Sequence, residues 1–219
     1  MVRQRSRRSV LVGCAAVGST GLAGCLSQSL DAEERVTDSF DGDGISTLEA
    51  STVNGDVELY SEDRTDISLE GHKRATSESG LDDVTLDVEK TGDTLTLDAD
   101  FDENGLLSWL SGGGEMNLQL TTPETLSAVT VGTTNGDIAI DVEELADITV
   151  ETTNGDVEIG LPATAEPELV FETTNGDLTV TGLDAESVDA DGSVETTIGD
   201  GTHRIDVETT NGDLDIHGS

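Results

Sequence analysis

From Thr47 to the end of the chain, apolar residues fall at every second position. Val129, Val131 and Thr133 lead up to Asn135, and Ile138, Ile140 and Val142 follow it. Ile148, Val150 and Thr152 lead to Asn154, with Val157, Ile159 and Leu161 beyond. Leu169, Phe171 and Thr173 precede Asn175, and Leu178 and Val180 follow. Ile205, Val207 and Thr209 precede Asn211, and Leu214 and Ile216 follow. A period of two is that of a strand with one face buried and the other wet. Val, Ile and Thr suit it because β-branched side chains pack well on a pleated surface. The pattern predicts an all-β chain whose strands meet in pairs at Asn-Gly bends.

The bends repeat almost letter for letter. TTNGD stands at Thr133–Asp137, Thr152–Asp156, Thr173–Asp177 and Thr209–Asp213, with a shorter VNGD at Val53–Asp56. Its corner residues are Asn54, Gly55, Asp56, Asn135, Gly136, Asp137, Asn154, Gly155, Asp156, Asn175, Gly176, Asp177, Asn211, Gly212 and Asp213. Thr196–Asp200 is a sixth, irregular copy, TTIGD, with Ile198 in place of Asn. Two architectures fit. Asn-Gly between alternating strands is a strong hairpin signal, which gives an antiparallel hairpin meander. The same string can instead turn a corner between stacked parallel strands. Asn135 to Asn154 is 19 residues and Asn154 to Asn175 is 21, about one coil of a solenoid. The 36 residues from Asn175 to Asn211 then read as two coils sharing TTIGD. Identical corners can stack into ladders of Thr and Asn, which a meander does not need. The preferred expectation is a single-stranded β-solenoid over residues 45–219, less regular over 45–122 and regular over 123–219.

The N-terminus carries a different pattern. Arg7 and Arg8 precede a short apolar run, Val10–Ala23, broken by Gly, Ser and Thr and too short to span a bilayer. The stretch resembles a twin-arginine export signal. It closes on Leu22, Ala23, Gly24 and Cys25, which resembles a lipobox. The resemblance implies that residues 1–24 are removed and that Cys25 receives lipid, anchoring the protein to the outer face of the cell membrane. Two lipid chains are what stable anchoring requires. Residues 25–44 are polar and acidic and read as a tether. Within them, Asp41 and Asp43 fail the EF-hand register, because Ala50 falls where Glu is needed. Cys14 lies inside the signal, so no thiol is left for a disulfide or a nucleophile.

Charge narrows the partners. The chain holds 47 Asp and Glu against 10 Lys and Arg. Four of those arginines precede Cys25, so from Cys25 on the balance is 6 − 47 = −41. Nucleic acid is thereby excluded, since phosphates need Lys and Arg. A folded chain this acidic, with only Lys73 and Lys90 as lysines, fits life at very high salt, where self-repulsion is screened.

Leu118–Ile140 (LQLTTPETLSAVTVGTTNGDIAI), the repeats that follow it, and VTLDVEKTGDTLTLDA at Val84–Ala99 resemble the adhesin-like β-solenoid domains of bacteria and archaea. That family is of unknown function. The resemblance implies a right-handed β-solenoid at the cell surface with a non-catalytic adhesion, binding or envelope-structural role. It supplies no catalytic residues. The partner would be a surface protein or a polysaccharide. Two other classes compete: a polysaccharide-active β-helix enzyme, for which Arg64, Arg74 and Arg204 are the few candidates in the folded part, and a solute-binding lipoprotein, which usually needs two α/β lobes.

Little else points to chemistry. His72, His203 and His217 lack metal-ligand spacing. Leu106, Leu107, Trp109 and Leu110 form an apolar cluster, read as a plug over one open end of the solenoid or as a contact for a partner. In a solenoid, Asp137, Asp156 and Asp177 would form a column, continued irregularly through Asp200 and Asp213. Such a column needs backbone N–H groups, concentrated salt or a bound cation such as calcium to relieve its repulsion.

Overall fold

The computed structural model describes residues 30–101, 114–183 and 188–219. Its core is a stack of strand pairs, and the alternation read from the sequence explains each pair. Five pairs bend at an NGD corner: β2 (Thr47–Asn54) with β3 (Val57–Glu62), β8 (Ala128–Asn135) with β9 (Ile138–Asp141), β10 (Asp147–Asn154) with β11 (Val157–Leu161), β12 (Pro167–Asn175) with β13 (Asp177–Thr181), and β16 (His203–Asn211) with β17 (Leu214–Gly218). A sixth pair, β6 (Thr94–Phe101) and β7 (Glu115–Pro123), stacks with them without that motif.

The two members of a pair lie in different sheets. β8, for example, pairs in parallel with β2 and β10, whereas β9 pairs in parallel with β3 and β11. The Asn-Gly bends are therefore corners between sheets, and the hairpin meander is not what forms. One sheet has eight strands and the other nine, and both are mixed, with parallel pairing in the middle and antiparallel strands at the ends.

Facing rows of apolar side chains fill the space between the sheets. Leu95, Leu48, Val129, Ile148, Ile205 and Leu169 stand in register on successive strands of the smaller sheet. Leu118, Val57, Ile138, Val157, Leu214 and Leu178 do so on the larger. All twelve are buried in one continuous core. Each such side chain contributes roughly 1.5–3 kcal/mol when fully removed from water.

The ends depart from the expected coil. β4 (Asp66–Ala75) runs antiparallel to β7, crosses through the short helix α1 (Glu78–Leu81), and returns as β5 (Val84–Thr91), antiparallel to β6. The hairpin legible in Val84–Ala99 is this β5–β6 pair. At the far end β14 (Val188–Asp191) and β15 (Val194–Thr197) lie antiparallel on β13 and β12. Residues 32–41, placed in the tether by their polarity, form instead the strand β1 (Ala32–Asp41) along the edge of β4. The polarity reflects an edge position: Glu33, Glu34 and Arg35 are exposed, and charged side chains on an edge discourage further pairing.

Coil order also differs from chain order. Along the stack the pairs run β6/β7, β2/β3, β8/β9, β10/β11, β16/β17, β12/β13. TTIGD is not a corner of this stack. It forms the turn after β15, where Ile198 is buried and its N–H donates to Pro167 O at 2.8 Å. Isoleucine replaces asparagine there because the side chain points into the core.

Gly155 lies in the middle of the corner column, where an added Cβ would collide with the carbonyl of Gly136. Gly92, at the β5–β6 turn, has φ 68° but open space around a Cβ. Gly155→Ala should therefore cost more than about 4 kcal/mol in equilibrium denaturation, against roughly 1–2 kcal/mol for Gly92→Ala. Equal losses would show that corner packing does not demand glycine.

Candidate functional site

The corners form one column along the edge of the stack, and three ladders run through it. Asparagine makes the first. Asn135 Nδ2 donates to Asn54 Oδ1 at 2.8 Å, Asn154 to Asn135 at 2.9 Å, Asn211 to Asn154 at 2.9 Å and Asn175 to Asn211 at 2.9 Å. Aspartate makes the second. The backbone N–H of Asp137 donates to Asp56 Oδ1 at 3.0 Å, and Asp156, Asp213 and Asp177 donate in turn to Asp137, Asp156 and Asp213, each at 2.9 Å. Glycine makes the third: Gly55 N–H donates to Asn135 O, Gly136 to Asn154 O, Gly155 to Asn211 O and Gly212 to Asn175 O. The order is 54, 135, 154, 211, 175, so Asp213 precedes Asp177. Asp200 lies outside it, its N–H bonded to Glu166 Oε2 at 3.2 Å.

Both ends of the column are closed by residues without the motif. Asn117 Oδ1 accepts from Asp56 N–H at 3.0 Å, and Met116 O accepts from Thr52 Oγ1 at 3.1 Å. Asn117 thus takes the aspartate's place, and its context, Asn-Leu-Gln-Leu, matches the Asp-h-x-h that follows each corner (h, apolar). That weaker signal could have revealed it. At the other end Gly192 N–H donates to Gly176 O at 3.1 Å, and Thr173 N–H donates to Ser193 Oγ at 3.1 Å.

The first threonine of each corner points inward, and its neighbour outward. Thr133 Oγ1 donates to Gly55 O at 3.0 Å, but the buried hydroxyls of Thr152, Thr173 and Thr209 have no partner among the described residues. Thr134, Thr153, Thr210 and Thr174 are all exposed.

Carboxylates crowd the outer surface. Glu151, Glu208 and Glu172 lie side by side on adjacent strands, all exposed. The cations sit among acids: Arg64 pairs with Asp66 at 2.9 Å, Arg74 with Glu115 at 3.2 Å and Arg204 with Glu168 at 2.9 Å. The Arg64 hydrogen bond, then that of Ser39, holds the Asp66 carboxyl below its ordinary range. A hydrogen bond to Glu143 pushes the Glu124 carboxyl up. His72, His203 and His217 stand apart, each 3.3–3.7 Å from one carboxylate. Among the described residues no group of three or more His, Cys, Asp and Glu is arranged to hold a metal. The exposed Asp column is satisfied through backbone N–H groups instead.

A shallow polar groove of about 260 Å³ crosses the outer face of the larger sheet near β1. Arg35, Glu58, Glu70, His72, Asn117 and Gln119 line it, and Gln119 Nε2 donates to Glu58 Oε2 at 3.2 Å. The sequence does not mark this groove, because its walls come from four strands distant along the chain. Arg7, Arg8, Leu22, Ala23, Gly24 and Cys25, and the cluster Leu106, Leu107, Trp109 and Leu110, lie outside the described residues.

Two sets of substitutions separate these contributions. Asp156→Asn keeps an acceptor for Asp213 N–H and removes a charge, so in dilute buffer it should match or exceed the parent's melting temperature. Asp156→Ala should cost about 1–3 kcal/mol. Near 1 M NaCl the screening length is about 3 Å, shorter than the strand spacing of about 4.8 Å, so the parent should gain stability there and close on Asp156→Asn. A parent melting temperature indifferent to salt would dismiss both the repulsive column and the adaptation to brine. Thr133→Val should lose about 1 kcal/mol, whereas Thr209→Val should be neutral or stabilising, because its hydroxyl is already unpaired. Equal losses from the two would argue against that distinction.

No curated protein matches this chain. Among solved structures, a candidate cell adhesion protein from Clostridium sporogenes is 12% identical, with a TM-score of 0.54 over 86% of this chain and 100% of that one. A candidate adhesin from Bacteroides fragilis is 13% identical, with a TM-score of 0.28 over 84% of this chain and 97% of that one. A candidate lipid binding protein from Parabacteroides distasonis is 9% identical, with a TM-score of 0.34 over 69% and 70%. The first shares the fold. Residues 42–217 match the model of the Toastrack DUF4097 family, a span that holds every corner and both end caps but not β1, and the chain belongs to that family.

Proposed function

We propose that this chain is an exported, lipid-anchored surface protein with a non-catalytic role in adhesion, binding or envelope structure. The observation that carries the reading is the pair of broad outer faces. Their polar side chains stand in rows one strand apart, because the parallel strands pair in register. Such faces offer many weak polar contacts over a wide area, which suits a polysaccharide or another surface protein. The groove beside β1 is the place on them where cation, amide and carboxylate groups converge. The structural relative named for cell adhesion supports the same reading. With it go a right-handed winding of the parallel coils and a lipid on Cys25, which the Leu22–Cys25 motif supports.

Two measurements test this. Cys25→Ser should move the protein from the membrane fraction to the medium, and retention on the membrane would dismiss the lipid anchor. Envelope material pulled down at native salt should contain a glycan or surface protein whose recovery falls several-fold with Arg35→Ala. Release of reducing sugar from that material would point to a glycan-cleaving enzyme instead.

A further inference from the structure

The coil that comes last in the chain is not last in the stack. β16 lies between β10 and β12, and β17 between β11 and β13, parallel to both neighbours. The chain reaches this slot by turning around the start of β12. Ile198 N–H donates to Pro167 O at 2.8 Å, and Thr202 N–H to Glu166 O at 3.0 Å. Gly199 and Gly201 make the turn with φ of 60° and 64°. This turn joins the coil to the strands that precede it.

The ladder and core bonds of the coil all go to residues complete by position 181. Asn211 donates to Asn154 and accepts from Asn175. Asp213 N–H donates to Asp156 Oδ1, and Asp213 Oδ1 accepts from Asp177 N–H. Ile205, Val207, Leu214 and Ile216 are buried between walls built from earlier strands. None of these bonds depends on the connection through residues 198–202. The outer side of β12/β13, where a further coil could otherwise add, is occupied by β14 and β15.

We propose that the slot between β10/β11 and β12/β13 also accepts the Thr202–Ser219 coil of a second copy of this chain, giving strand-exchanged dimers that compete with insertion in cis. Exchange reproduces every ladder bond and buried contact, so the two forms differ mainly in the turn and in the entropy of association. A short linker gives the cis coil an effective concentration in the millimolar range, so insertion in cis dominates in dilute solution and exchange gains as the protein is concentrated. The slot also has to stand open until Thr202–Ser219, which follows both of its walls in the chain, is available, which is when a neighbouring copy can enter.

The test uses two full-length chains, both carrying Cys14→Ser and Cys25→Ser, one with Asn154→Cys and the other with Asn211→Cys. These positions are paired in register on adjacent parallel strands, whose spacing of about 4.8 Å lies within the Cα separation that a disulfide spans. The chains are mixed in denaturant and refolded together in molar NaCl under a glutathione redox buffer. A disulfide-linked heterodimer should appear, its fraction rising by up to about a hundredfold between about 1 μM and about 100 μM protein. One chain carrying both cysteines should cross-link internally when dilute. Internal cross-linking without a heterodimer at any concentration would overturn exchange. No cross-link of either kind would overturn the inserted position on which it rests. The pair Asn54→Cys with Asn211→Cys, three coils apart, should give no heterodimer, and an equal yield there would also overturn the proposal. The chain with Asn154 and Asn211 intact, followed by light scattering over the same range, should show a growing dimer fraction; a monomer throughout counts against exchange even if the cysteine chains fold poorly.

Discussion

Everything in this fold depends on how closely one corner can sit upon the next. At each NGD bend the glycine lies directly against the carbonyl of the corner beneath it, leaving no room for a side chain. That closeness brings the asparagine amides within reach of one another and lets each aspartate carboxylate cap the backbone N–H of the corner above. Five identical bends are a geometric requirement, since a different residue at any level would hold two coils apart and break three ladders at once. The strands on either side follow from this. With corners in register, apolar positions fall into register too, and the core becomes facing rows of Leu, Ile and Val.

The same closeness sets the electrostatic problem. Five aspartates in a column on a strongly acidic protein repel one another, yet each of the four lower carboxylates accepts a backbone hydrogen bond, which is strongest when the acceptor is charged. Attraction along the backbone and repulsion between side chains are thus built from the same atoms. Concentrated salt weakens the second more than the first, because the hydrogen bond is short and the charges are a full strand apart.

Much of this was legible in the sequence and some was not, for physical reasons. Alternation at Val129–Val142 and its repeats predicted strands, and the identity of TTNGD predicted stacked corners, because both depend on local chemistry. Coil order was not legible. Leu169, Phe171, Asn175 and Leu178 offer a neighbouring coil nearly what Ile205, Val207, Asn211 and Leu214 offer, so nothing in either segment says which lies inside. TTIGD misled because its letters match a corner while Ile198 packs into the core. β1 was hidden because an edge strand protected by charge has the composition of a tether. Asn117 was missed because its role survives without the Asn-Gly pair, and the groove because Arg35, Glu58, His72 and Gln119 meet only across the sheet.

The reversed strands at the two ends of the stack have a consequence for size. A ladder of identical parallel corners has no inherent length: each level is a template for the next, as in a fibre. Here β6/β7 and β14/β15 end the ladder without an Asn-Gly-Asp bend to copy, and β4/α1/β5 and β14/β15 close the sheets with chain running the opposite way. The interior and the terminators are therefore separable modules. Duplicating one internal coil of about twenty residues would lengthen the molecule by roughly 4.8 Å and leave both terminators unchanged. The number of corners then acts as a ruler, which evolution can reset by gene duplication alone.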